Sequence, residues 1–85
     1  MDQAVKIDAL KRLSYVEGHL AGVRRMVDEE KYCVDILKQT YAVRRAIQKI
    51  EARILEGHLH THVLEGVRYG REDEVLSELL DLYNL

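Results

Sequence analysis

Cys33, His58 and His62 combine one potential thiolate with two imidazoles, a donor set suited to a soft or borderline metal ion. His58 and His62 stand four apart, so on a helix they project from one face about one turn from each other. Cys33 lies 25 residues before His58, roughly 37 Å along a helix at 1.5 Å of rise per residue, too far for one ion to be held by all three within one chain. Either the three are unrelated, or two antiparallel copies bring Cys33 of one beside His58 and His62 of the other. The second arrangement is a homodimer with two equivalent sites. His60 falls about 200° from His58 around such a helix and is expected at the surface.

The elements that must position these residues are helices. The 85 residues include no Pro and only five Gly, with Leu, Val, Ala, Glu, Lys and Arg abundant, and this composition favours an all-α domain spanning 1–85. Ile7, Leu10, Leu13, Leu20, Val23 and Val27, with Val16 slightly offset, describe an amphipathic helix over about 4 to 27. The polar stretch 28–31 reads as a short turn. Apolar positions from Ile36 to Val63 then sustain an unusually long second helix, about 32 to 64. Gly66 and Gly70 are expected to bracket a turn before a short third helix opening on Arg71-Glu72-Asp73-Glu74, whose acidic residues suit its N-terminal end. Such a three-helix protomer is too thin to bury its own apolar stripes, and two copies packed antiparallel make a four-helix bundle. A two-fold pairing residue 33 with residues 58 to 62 crosses helix two near position 46, where small Ala42 and Ala46 would permit close approach.

Charge is unevenly spread behind a net −2: residues 1–53 carry 11 Lys and Arg against 8 Asp and Glu, and residues 54–85 carry 2 against 7. Basic groups at Lys11-Arg12, Arg24-Arg25, Arg44-Arg45, Lys49 and Arg53 would give an assembly a positive face suited to nucleic acid. Arg12, Arg44, Arg45, Lys49 and Arg53 are the candidates for phosphate contact, with Lys11 behind them. No apolar run is long enough to span a bilayer and no signal segment opens the chain, so a cytoplasmic protein is expected, in a compartment that keeps the single Cys reduced. No paired nucleophile and base and no phosphate-binding glycine loop suggest an enzyme.

The segments Arg12-Leu13-x-x-Val16-Glu17-Gly18-His19-Leu20-x-Gly22-Val23-x-x-Met26, Tyr32-Cys33-Val34-Asp35-Ile36-Leu37-x-Gln39, Ala42-Val43-Arg44 and Gly57-His58-Leu59-x-x-His62 resemble the bacterial copper-sensing and nickel/cobalt-sensing repressor family, CsoR/RcnR. The resemblance implies an all-helical dimer that pairs into a tetramer, binds operator DNA without a helix-turn-helix and releases it when metal binds. It implies Cys33 as ligand from one subunit with His58 and His62 from the other, and places Arg12 and Lys49 among the DNA contacts. Tyr32 and Glu78 are implied as partners linking the ligand His to the C-terminal helix. His19, within Gly-His-Leu, is assigned a structural role.

Copper sensors of the family often carry Cys where His62 stands. Nickel and cobalt sensors use Cys-His-His with a further His near the N-terminus, which Met1, Asp2 and Gln3 do not supply. One thiolate with two imidazoles completes a trigonal Cu(I) shell, whereas Ni(II) and Co(II) want more nitrogen or oxygen donors and Zn(II) would add a water. The expected function is therefore a repressor of copper efflux and homeostasis genes that leaves DNA on binding Cu(I). Alternatives are a nickel-, cobalt-, zinc- or formaldehyde-responsive repressor of the same family, and, in a different class, a metal-buffering helical dimer that never binds DNA.

Overall fold

A computed structural model describes residues 1–84. The chain folds as α1 (Gln3–Asp28), α2 (Cys33–His58), a π-helical turn (Leu59–Val63), α3 (Leu64–Arg68), α4 (Glu72–Asp81) and a closing 3₁₀ turn (Leu82–Asn84). No strand occurs among the described residues. The Asp2 carboxylate caps α1 by accepting from the Ala4 N–H at 3.2 Å. At its other end Glu30 N–H donates to Val27 O and Lys31 N–H to Met26 O, a Schellman cap that puts Glu30 at φ 53°. Gly70, at φ 75°, closes α3 the same way, with Arg71 N–H on Gly66 O and Gly70 N–H on Val67 O.

Helix two is longer than expected. Leu59 and Leu64 keep right-handed helical dihedrals, so α2, the π turn and α3 form one rod from Cys33 to Arg68. Gly66 does not bracket a turn: it lies buried inside α3, where the lack of a side chain lets Val75 of α4 sit against the backbone. Gly70 alone makes the turn.

α1 and α2 pack antiparallel along Val5, Ala9, Val16 and Val23 of the first and Val43 and Ile50 of the second, with Ile36 and Ala46 alongside. The offset Val16 line is thus the seam within the chain. Ile7, Leu10, Leu13, Leu20 and Val27, the more obvious stripe, are exposed. The reason is that α1 is apolar over an arc wider than one partner can cover, and the small residues win the contact with α2 because they let the helices approach closely. Ala46 joins that internal seam and Ala42 lines the side of the hairpin opposite Cys33, so neither lies on the face of α2 that carries Cys33.

The protomer measures 55 × 28 × 14 Å, and its shortest dimension is little more than the roughly 10–12 Å diameter of one helix. Both faces of the hairpin are open. Its accessible surface of 7067 Å² exceeds by some 1,900 Å² the roughly 5,200 Å² expected for a folded monomer of 9.9 kDa. That excess is more than the ~800 Å² each partner contributes to a standard interface. The thin shape and the uncovered leucines have one physical cause, a core that a single chain cannot close.

Candidate metal centre and basic groove

The π turn follows directly on His58 and carries His60 and His62. Its geometry is braced by the Thr61 hydroxyl, which donates to Gly57 O at 2.8 Å. Wide turns of this kind occur mostly as single insertions in α-helices, often at functional sites. Here the turn brings the His58 and His62 rings to 5.3 Å between centroids, tilted by 37°. With metal–nitrogen bonds of about 2.0–2.1 Å, two imidazoles at that spacing subtend an angle of roughly 110° at a shared ion. The spacing lets the pair share an ion when each ring turns a nitrogen toward it. His58 is half-buried and His62 exposed, beside a hollow of about 260 Å³ lined also by Asp2, Val5, Ile54, Gly57 and Thr61. His60 is exposed and stands outside that hollow.

Cys33 is an exposed free thiol at the opposite end of α2. Among the described residues no three His, Cys, Asp or Glu side chains converge on a point within the chain. The structure thus joins two of the three candidate ligands and separates the third. It does the same with the two candidate partners of His58: Tyr32 is exposed just ahead of α2, Glu78 is exposed on α4, and neither hydrogen-bonds to His58 within the chain.

On a helix of 3.6 residues per turn, Cys33, Leu37, Arg44, Ile47, Glu51, Ile54 and His58 fall within an arc of about 100° on α2. On the same side of the hairpin α1 presents Leu10, Leu13 and Leu20, all exposed. The separated ligands therefore share one apolar face.

The other side is a basic groove lined by Asp8, Lys11, Arg12, Tyr15, His19, Tyr41, Ala42, Arg45, Ala46 and Lys49. It gathers Arg12, Arg45 and Lys49 of the five candidate phosphate contacts. Arg53 sits nearby, half-buried, 3.4 Å from the Asp8 carboxylate, which also accepts from Arg12 Nε at 3.0 Å. Arg44 is absent from the groove and stands over the Tyr41 ring at 5.3 Å. Arg45 donates to the Tyr41 hydroxyl at 3.4 Å, and that hydrogen bond with its positive charge holds the phenol below its ordinary value near 10. His19 pairs with Gln39 across the helices at 2.7 Å and meets Tyr15 edge-on, a structural tie as expected. Asp8 and Tyr41 were not singled out in the sequence. The i, i+4 spacing of Asp8 and Arg12 was the available signal for the first.

A two-helix hairpin with soft donors on an open apolar face and cations on the reverse is the build of a ligand-responsive, nucleic-acid-facing helical module. Residues 5–84 match the family model described as metal-sensitive transcriptional repressor, and the chain belongs to that family. It is 39% identical over 72 residues to the copper-sensing transcriptional repressor CsoR of Bacillus subtilis, covering 85% of this chain and 71% of that protein. The chain spans about two thirds of the length of the curated relatives it matches, 66% for mycobacterial CsoR proteins. Among solved structures it is similar to the copper-sensing repressor CsoR with Cu(I) from Geobacillus thermodenitrificans, with TM-score 0.91 and 32% identity over 99% of this chain and 88% of that one. It is also similar to the nickel-responsive transcriptional regulator InrS, with TM-score 0.77 and 32% identity over 91% and 86%.

Proposed function

We propose that this protein is a cytoplasmic repressor that binds operator DNA in its metal-free form, leaves it on binding Cu(I), and so controls genes of copper efflux and homeostasis. The observation that carries the reading is the opposition of faces: Cys33, His58 and His62 on the open apolar side of α2, and Arg12, Arg45 and Lys49 in the groove behind it. Likeness to Cu(I)-bound CsoR supports copper as the effector. In a homodimer built on the apolar face, Cys33 ligates with the partner subunit's His58 and His62, and two such dimers assemble into a tetramer. The donor set suits Cu(I), which accepts three soft or borderline ligands. Tyr32 and Glu78 orient the ligand imidazole by hydrogen bonding to its second nitrogen, since a ligating His needs its other N–H fixed. Arg12, Arg45 and Lys49 neutralise phosphates, and Arg53 joins them from its pairing with Asp8.

Likeness to the nickel-responsive InrS favours Ni(II) as the second reading. Both are tested by gel shift on DNA flanking the protein's own gene, run anaerobically with Cu(I), Ni(II), Co(II), Zn(II) and formaldehyde in parallel. Retardation by the metal-free protein, relieved by Cu(I) at the lowest concentration, is the expected result. A protein that ignores DNA in both states is a metal buffer, and the repressor reading fails. No helix among the described residues is long and apolar enough to cross a membrane.

A further inference from the structure

We infer that Arg44 and Glu51 form a reciprocal ion-pair clamp between the α2 helices of two copies in the register of the shared metal site; this rests on the two-chain site proposed above. Three observations lead there. Arg44 and Glu51 are one heptad apart on the arc of α2 that carries Cys33 and His58, among exposed Leu37, Ile47 and Ile54. Neither has an ion-pair partner among the described residues of its own chain, although Asp8, Arg12 and Arg53 nearby are all paired. Arg44 is also the one candidate phosphate contact on the arc of α2 that carries Cys33; it does not line the groove, though its guanidinium reaches the groove's Tyr41.

The metal site itself supplies the register. A two-fold that places Cys33 level with the midpoint of the partner subunit's His58 and His62 crosses α2 between residues 46 and 47. Arg44 then stands about two residues, roughly 3 Å of rise, from the level of the partner subunit's Glu51, within reach of an arginine side chain. Symmetry repeats the contact on the other side of the axis. Ile47, 40% exposed in the single chain, meets its symmetry mate at the centre. Two charge pairs thus flank a small apolar contact; a one-turn slip of the antiparallel helices in one direction would separate each pair by roughly 8 Å and leave four charges unpaired, whereas a slip the other way keeps them within reach. That penalty disfavours slippage in the one direction and adds specificity more than affinity. Arg44 is accordingly an interface residue, held at its rim by the Tyr41 ring, and not a phosphate contact.

The test compares the full chain with Arg44→Glu, Glu51→Arg and the double swap, all metal-free, by sedimentation across a dilution series, with circular dichroism to verify helix content. Each single reversal is expected to weaken the dimer about tenfold or more, because it sets like charges face to face twice, and the double swap is expected to recover most of the loss. Singles that dimerise as the parent does, or a double swap as weak as the singles, overturn the clamp. An Arg44→Glu protein that dimerises normally but loses DNA affinity returns Arg44 to the nucleic-acid surface and also overturns it. A separate arm mixes Cys33→Ala protein with a His58→Ala/His62→Ala double variant and titrates Cu(I). One intact site per mixed dimer upholds the shared site whatever the charge swap does; no site at all removes that reading, and the clamp with it.

Discussion

Gly57 gives a sign test of the packing that holds the histidine-bearing turn. It immediately precedes His58 and faces α1, where an added Cβ would stand 2.8 Å from Val5 Cγ2 and 3.4 Å from Cγ1. Replacing a helical glycine by alanine ordinarily stabilises by about 0.5–1 kcal/mol through lower backbone entropy in the unfolded chain. At position 57 the neighbour cannot yield cheaply. Val5 is only 2% exposed, the most buried side chain among the described residues, and branching at Cβ limits its rotamers. Overpacking of this kind costs about 1–3 kcal/mol, so Gly57→Ala should lose roughly 1 kcal/mol net. Gly18→Ala is the control: no atom lies within 4 Å of its Cβ position, and the same substitution should gain about 0.5–1 kcal/mol. Urea unfolding of both at one fixed chain concentration gives the comparison, since the stability of an oligomer depends on concentration. Adding Val5→Ala to Gly57→Ala should be less damaging than the two single losses combined, because the smaller side chain admits the new methyl. A Gly57→Ala protein as stable as Gly18→Ala would refute the close approach of α1 to the turn.

Three further outcomes follow from the site. Lys49→Ala should weaken DNA binding by a similar factor on every sequence and reduce the salt slope of log affinity by about one; an unchanged slope would take Lys49 off the phosphate surface. Tyr41 should ionise below its ordinary value near 10 in an ultraviolet titration, and Arg45→Gln should return it there. Because the folded-state value is the lowered one, the stabilisation from Tyr41 is absent below it, grows as pH rises through it and is complete only above the unfolded value, so stability near neutral pH should not respond. Glu78→Ala should leave Cu(I) affinity nearly intact while blunting release of DNA; full release by that variant would separate α4 from the response.

How much of this was legible beforehand depended on what kind of information each feature carries. Helix identity and the spacing of His58 and His62 are local, and the periodic pattern reported both. The π turn was not readable: it inserts part of a residue into a run of right-handed dihedrals, and Leu59-His60-Thr61-His62-Val63 has no breaker to announce it. Gly66 misled because a glycine marks a turn or a notch equally well, and only the position of Val75 distinguishes them. The seam on α1 was not readable for a related reason. Hydrophobicity ranks Leu13 and Leu20 above Ala9 and Val16, but the contact within the chain selects for close approach, and the larger residues remain on the outer face. Ala42 and Ala46 follow the same logic, being small on the side that faces α1 and the groove rather than the open face.

That division of labour around α2 explains how a site on one face can govern a surface on the other without a contact between them. The α1–α2 seam is built from valines, alanine and isoleucine in tight contact, so each hairpin moves as one body, carrying Arg12, Arg45 and Lys49 with it. The open face is where one hairpin can change its angle to the next. On the proposed reading, Cys33 and the partner subunit's His58 and His62 tie the two ends of that face together, roughly 20 Å on either side of the crossing. A change in that angle re-aims the cations on the groove side and alters their match to phosphates whose spacing the duplex fixes. The response still requires the ligands to bind metal better in one angle than in the other, for equal affinity shifts nothing. An interface of separate leucines and isoleucines suits that requirement, because apolar contacts tolerate rotation about the axis.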